Sequence, residues 1–430
     1  MTGNASTNPV PTALTKVRYH TRLVGLTTRH CASALFASML VITTTPTAEA
    51  SCTDSGLART CNGDLNSTQL FEHLNEQTVN TYTLIYEALT NSSFTTNQSS
   101  NPIIHFLASG ANGSGSGSSG HESPTQKFTF NADRTVDNFT LQSNHGPNIE
   151  ITQTGGSGTG GSENGPGLGE RTGGNGGTGG GGGETEIAIY NATITANPGK
   201  ALLITASGGN GGHGGEGYST GEDILNGSKD ARGGTGGSGG GGGSSTLTLD
   251  SVSVTNGDNG DFPVLTLTHT GGKGGSGGLG KSADYTGQGG SAGPGGSGGN
   301  VNVTLNEKVT ITGKNATGFQ IDASGGNGGA GGEGENTLTG TARGSSGGTG
   351  GRGGNITLSG SENTDLTVTA NGSGALVFHT FAGSGGTGGY ATGGGDSYGG
   401  DGGPGGTGGT ISVNMGASIL NLSTTNDTAQ

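Results

Sequence analysis

The phrase Gly-Gly-x recurs in this chain on two scales at once. Asn175, Asn210, Asn327 and Thr349 each sit inside a G-G-x-G-G run, and short stretches rich in Thr, Val and Ile separate the runs. The tracts close at Gly183, Gly243, Gly299, Gly354 and Gly409, so successive closures lie 60, 56, 55 and 55 residues apart. A beat of that length is the signature of a repeat architecture, in which each unit buries its apolar side only against its neighbours. Solenoids of this kind work as extended surfaces.

The spacers show what the units are made of. In the unit from Asn300 to Gly354, Val301, Val303 and Leu305 alternate with Asn302 and Thr304. That period of two is a half-buried strand. A second strand follows with Val309 and Ile311, then Asn315 as a turn residue, then a third with Phe319 and Ile321. Other units repeat the plan with Ile187/Ile189, Leu247/Leu249, Ile356/Leu358 and Ile411/Val413 in the first strand. Three short strands per unit, with aliphatics in register, predict an all-β, repetitive parallel β-helix. An antiparallel β-sandwich with glycine loops is the rival architecture. Glycine accounts for 100 of 430 residues and apolar residues for 27%, which excludes one broad compact core and leaves a thin, elongated one.

The glycine excursions admit two readings. Long structureless loops are uncommon in compact domains, yet glycine loses the most entropy on ordering. Against a floppy tract stands the strict triplet spacing. A polyproline-II-type helix has three residues per turn and rises about 3.1 Å per residue, so x-G-G triplets leave two faces bare and put every x on the third. Bare faces allow backbones to pack and exchange hydrogen bonds. Each excursion then becomes a hairpin of polyglycine-II helices, or else a solvated loop. Collagen is excluded, because the chain has only eleven prolines and tracts of three or four triplets. Calcium-binding nonapeptides fit poorly, since Asp396 and Asp401 form no tandem array.

The chain divides into residues 1–50, a signal peptide; 51–126, an N-terminal cap closed by a flexible Gly110–Gly120 stretch; and 127–430, the solenoid. Lys16, Arg18, Arg22 and Arg29 precede an apolar run from Cys31 to Ile42, and Ala48-Glu49-Ala50 precedes Ser51. Basic, apolar and small-residue segments in that order read as an export signal cleaved between Ala50 and Ser51, and the run is shorter than the ~18 residues of a spanning helix. Cys52 and Cys61 then remain, and in an exported chain they most simply form one disulfide; acylation of Cys52 and metal ligation are the weaker readings. The formal charge of −14, with no basic cluster in the body, argues against nucleic-acid binding.

No catalytic signature assembles in the sequence. Gly395-Asp396-Ser397 only loosely resembles a serine-hydrolase motif and lacks the strand-turn-helix context. Asp250, Glu307, Asp322 and Asp365 fall at different places in their units, without an aligned basic partner. His213, His269 and His379 show no metal-ligand spacing and read as surface or strand residues. The tracts lack the Lys-[ST] ending of a phosphate loop, and the N-x-[ST] triplets, such as Asn302–Thr304 and Asn355–Thr357, follow from composition. No cofactor, metal or enzymatic activity is expected.

The segment Cys52-Thr-Asp-Ser to Arg59-Thr60-Cys61-Asn62-Gly63-Asp64, together with units of the form G-G-N-[IV]-T-L…L-T-V-T-A-N-G…L at Gly353–Leu376, resembles the glycine-rich passenger region of adhesin-like bacterial autotransporters. The long basic signal is similar to theirs as well. The resemblance covers most of the chain and implies export, exposure at the cell surface or release from the outer membrane, and a translocating outer-membrane barrel that this chain does not contain. It also implies adhesion to cell-surface glycans or proteins, or self-association. Two other functions are compatible with the residues: a polysaccharide-degrading β-helix enzyme, and an ice- or surface-binding polyglycine array.

Overall fold

The computed structural model describes residues 104–131, 139–143, 147–197, 199–220, 230–256, 262–314, 316–370, 374–416 and 418–424, and upstream of these the backbones of strands Ser51–Ser55, Ala58–Asn62, Leu70–Asn75, Thr81–Glu87 and Ser93–Thr96. Residues 47–430 belong to one compact unit. The fold is an all-β parallel solenoid, and no helix occurs among the described residues.

Each coil contributes to three faces. The first face runs through Thr125–Phe130, the first half of Thr185–Ala196, the first half of Ser245–Asn256, Val301–Asn306, Ile356–Gly360 and Ile411–Asn414. The second runs through Phe139–Ser143, the second halves of the two long strands, Lys308–Gly313, Asp365–Ala370 and Ile419–Thr424. A separate seven-stranded sheet, from Leu70–Asn75 to Leu376–His379, forms the third. The parallel ladder extends upstream to Ala58–Asn62, and Ser51–Ser55 closes that end as an antiparallel partner.

Strict register carries each inward residue onto its equivalent one coil along. Phe128, Ile187, Leu247, Val303 and Leu358 stack in one row. Leu141, Ile194, Val254, Ile311 and Val368 stack in another, and Ile149, Leu202, Leu265 and Phe319 in a third. All of these side chains are buried. No coil could desolvate such a narrow apolar edge alone; the neighbour at the usual strand spacing of about 4.8 Å completes it.

The corner between the first and second faces has a local cause. Asn131, Asn191, Ser251, Glu307 and Asn363 occupy it in successive coils, and all have φ between 43° and 70°. One left-handed residue breaks the in–out alternation and turns the chain while both flanking strands keep their apolar side inward. Asn tolerates that conformation best among residues with a side chain. The turn assigned to Asn315 lies outside the described residues.

The excursions leave from the end of each third-face strand and return at the start of the next first-face strand. They are ordered. Hydrogen bonding repeats every three residues in both directions of each hairpin, as in polyproline-II-type helices. The hairpin tips pair into two further five-stranded parallel sheets, Asn164–Gly167 to Ala391–Gly393 and Arg171–Thr172 to Ser397–Tyr398. The stretch 110–120, expected to be flexible, is instead the first edge of this array. Gly110, Gly113, Gly117 and Gly120 donate to Thr154, Ser157, Gly160 and Thr178 at 2.7–2.9 Å. Its backbone is fixed by the neighbouring coil, a constraint invisible in a short Gly/Ser segment read alone.

Candidate functional surface: a two-layer glycine slab

The outgoing and returning tracts form two layers of helices, and in the interior coils both glycine N–H groups of a G-G-x triplet have a defined destination. The first glycine donates within its own layer to the carbonyl of the next coil's x residue. Gly208, Gly211 and Gly214 thus reach Thr270, Lys273 and Ser276, and Gly233, Gly236 and Gly239 reach Gln288, Ser291 and Pro294, all at 2.8–2.9 Å. The second glycine donates across to the other layer. Gly209→Gly180, Gly240→Gly209, Gly272→Gly240, Gly296→Gly272 and Gly326→Gly296 make one continuous zigzag of 2.7–2.8 Å bonds. Parallel zigzags run through Gly212–Gly237–Gly275–Gly293 and Gly215–Gly234–Gly278–Gly290.

Steric necessity explains the composition. A Cβ on Gly240 would lie 1.9 Å from the carbonyl oxygen of Gly180, and one on Gly236 would lie 2.1 Å from that of Gly275. In the interior coils, from Gly209 to Gly351, the second glycine of each triplet is buried between the layers, whereas x is on the outside. Consecutive x side chains on one helix are therefore about 9 Å apart, three residues at the polyproline-II rise, and rows of them run from coil to coil.

The two broad faces differ in chemistry. The outgoing layer exposes Asn210, His213, Glu216, Lys273, Asn327 and Glu333. The returning layer exposes mostly smaller groups, among them Thr178, Thr235, Ser291, Pro294, Thr349, Pro404 and Thr407, interrupted by Asn175, Arg352 and Asp401. Several asparagines also lock neighbouring helices. The Oδ1 atoms of Asn175, Asn210, Asn300, Asn327 and Asn355 accept from the N–H of Thr235, Lys273, Asn355, Ser384 and Thr410 at 2.9–3.1 Å. The sequence showed Asn recurring at x positions, but its role as a cross-link needed the neighbour's backbone. Where the returning layer meets the first face, a furrow of about 290 Å³ is lined by Ser244, Thr246, Asn300 and Asn302, with Glu184 and Glu186 at one end.

The neck between slab and β-helix has a polar interior. Gln153 is buried and donates from Nε2 to the carbonyls of Pro124 and Glu184 at 3.0 and 3.1 Å, while Thr185 Oγ1 donates to its Oε1 at 2.8 Å. Two coils on, His269 occupies the same inward row, between Ala206 and Ala323. Its Nδ1–H donates to the carbonyl of Gly243, and its Nε2 is buried with no hydrogen-bond partner among the described residues. Burial pushes its pKa down to about 4, against the smaller upward pull of the Gly243 bond.

The residues singled out in the sequence scatter over the molecule. Cys52 and Cys61 are directly opposed in the antiparallel end hairpin; their side chains, and Ala50, expected to precede a cleavage site at Ser51, lie outside the described residues. His213 is an exposed x residue whose Nδ1 is 2.6 Å from Ser276 Oγ. Asp396 and Ser397 lie at a hairpin tip, where Ala342 N–H donates to the Asp396 carbonyl. Two acidic residues do have aligned basic partners, contrary to the expectation from spacing. Asp365 is in register with Lys308, and Asp322 with His379. His379 Nδ1 is 2.6 Å from Asp322 Oδ1, and Gln320 Nε2 donates to Oδ2 at 2.7 Å. Unit lengths of 55 to 60 residues hid these pairs, because corner and loop insertions shift the count without shifting the strand register. Asp250 and Glu307 lie at the first corner. Among the described residues, no group of three or more His, Cys, Asp or Glu side chains is placed to hold a metal ion.

No protein-family profile matches the chain, and no curated protein matches it. A solved springtail antifreeze protein from Granisotoma rainieri, described as a bundle of nine polyproline type II helices whose crystal waters match the ice lattice, aligns with 60% of this chain and 94% of its own. The identity is 20% and the TM-score 0.11, so nothing about this chain follows from that alignment.

Proposed function

We propose that the chain is a non-enzymatic, exported β-solenoid that presents its returning glycine layer for adhesion to cell-surface glycans or proteins. One observation carries this reading: the interior hairpins bury their second glycines between the layers and turn their x residues outward, so small hydroxyl and amide groups stand in a two-dimensional array. A repetitive ligand such as a polysaccharide can meet many equivalent weak contacts on that array, and their combination supplies avidity without any deep pocket. The acidic balance of the chain favours neutral or cationic ligands over nucleic acid. On this reading residues 1–50 direct export, cleavage falls between Ala50 and Ser51, and an outer-membrane barrel brings the chain to the surface.

The test is binding of the purified protein to immobilised polysaccharides and to whole cells, with Thr235→Lys and Thr349→Lys placed on the returning face. Retention that both substitutions weaken supports the reading; the absence of binding to any surface, or binding indifferent to them, overturns it. A second reading rests on the rigidity and small side chains of the same face, which would suit ordered water at an ice surface. Thermal hysteresis in the purified protein, without glycan retention, would favour it.

A further inference from the structure

An Asn-Gly step cyclises more readily than other asparagine steps, because glycine puts no side chain in the way of its own nitrogen as it attacks the asparagine Cγ. Such steps lie in the helices of the slab at Asn112, Asn175, Asn210 and Asn327, and all four asparagines are exposed. Burial therefore does not protect them. What they share is a clamp on a single residue of the next coil. Their Oδ1 atoms accept from the N–H groups of Ser157, Thr235, Lys273 and Ser384 at 2.8–3.1 Å. The following glycines, Gly113, Gly176, Gly211 and Gly328, donate to the carbonyls of those same four residues at 2.8–2.9 Å. The carboxamide and the nucleophilic nitrogen are both tied to the neighbouring helix. Asn300 and Asn355 make the same clamp on Asn355 and Thr410, but Val301 and Ile356 follow them, and a branched side chain there hinders ring closure. Asn164-Gly165 is a different case. It lies at a hairpin tip, Asn164 Oδ1 accepts from Arg171 Nη1 at 2.9 Å, and Gly165 is exposed with open space where a Cβ would stand.

We propose that the four clamped Asn-Gly steps are latent modification sites that stacking of the next coil switches off. In an unstacked hairpin the glycine nitrogen gives up its proton and attacks Cγ. The N–Cγ bond forms, the Cγ–Nδ2 bond breaks, and Nδ2 takes up the proton and leaves as ammonia. Water then opens the succinimide ring at either carbonyl, which yields aspartate or isoaspartate. In a stacked hairpin the glycine N–H is held by a carbonyl and the carboxamide oxygen by an N–H. The reaction then waits for local opening of the clamp, and its rate falls with the fraction of time the clamp is open. The consequence is a chemical record of assembly. Isoaspartate routes the main chain through the side-chain methylene and adds one atom to the backbone. Every glycine beyond it falls out of phase with the three-residue ladder. A hairpin modified before its neighbour arrives cannot complete that ladder, whereas one already stacked is preserved.

The test is residue-resolved deamidation of the full chain at mildly alkaline pH, folded and unfolded in guanidinium, with aspartate and isoaspartate scored by peptide mapping and mass spectrometry. Asn175, Asn210 and Asn327 are expected to react at least about tenfold more slowly in the folded chain than in the unfolded one, and Asn164 within about threefold of its unfolded rate. Lys273→Pro isolates the clamp. It removes the N–H that Asn210 Oδ1 accepts and keeps the carbonyl that holds Gly211. It also suits a polyproline-II helix that already carries Pro294 and Pro404 at x positions. Asn210 should react at least about fivefold faster in this variant, with Asn175 and Asn327 at their former rates. Lys273→Ala keeps the N–H and should leave Asn210 protected. Equal folded and unfolded rates at Asn175, Asn210 and Asn327 overturn the proposal. So does equal protection of Asn164, which would assign the effect to folding at large. An Asn210 rate unchanged by Lys273→Pro, raised as much by Lys273→Ala, or raised together with those of Asn175 and Asn327 overturns it as well.

Discussion

Single side chains decide how well each coil closes. The left-handed corner is filled by Asn in three coils but by Ser251 and Glu307 in two, and a Glu side chain gains nothing from φ near 54°. Glu307→Asn is expected to raise stability by about 0.5–1 kcal/mol, the typical relief when a residue suited to φ > 0 replaces one that is not; thermal denaturation measures it. His269 makes stability depend on pH. Its folded pKa of about 4 lies below the ordinary value of about 6.5, so the unfolded chain binds the proton first. The stability tied to neutral His269 is complete above pH ~6.5 and is lost as pH falls toward 4, to the extent of about 3 kcal/mol. His269→Ala, matching Ala206 and Ala323 in the same row, should flatten that stretch of the pH–stability curve. A curve that keeps its slope in the variant would assign the effect to other groups. None of this was visible in the sequence, where His269 read as one strand residue among others: inward direction is set by parity within the strand, and the bond to Gly243 spans 26 residues.

The element that distinguishes the molecule is the polyproline-II hairpin, which has no internal hydrogen bonds and gains order only from its neighbours. Its amides should therefore report the array directly. Second-glycine amides such as Gly209, Gly240 and Gly272 should exchange slowly. Among x amides, those of Thr235, Lys273 and Ser384 should exchange slower than those of Ser238 and Ser291, because an asparagine Oδ1 accepts from the former. Uniformly fast exchange would contradict the bundle. Gly240→Ala is expected to cost about 3 kcal/mol or more, since a Cβ 1.9 Å from the Gly180 oxygen must push two layers apart. The triplet spacing made such a helix legible in the sequence alongside a solvated loop. Spacing could not choose between them, because one excursion in isolation has every reason to stay disordered; the choice lies in the next coil's carbonyls.

At the scale of the whole molecule, stability is a sum over coils and their interfaces. Deleting residues 300–354, one full period, joins Gly299 to Asn355 and restores both the strand rows and the slab, so the shortened protein should fold cooperatively with reduced stability. Deleting 300–330 removes strands and half a hairpin and should leave the downstream coils unfolded; circular dichroism with thermal melting separates the outcomes. The sequence by itself determined the period, the three strands per coil, the inward aliphatics and the triplet phase of the glycines, because each is a local pattern that stacking merely repeats. Only the tertiary structure decided that the excursions are rigid, which x residues share a face, that Asp322 meets His379, and that the stretch at 110–120 belongs to the array. Those facts depend on which backbone lies one coil away, 43 to 63 residues along the chain, and a glycine with no side chain cannot encode its neighbour except through the neighbour's own shape.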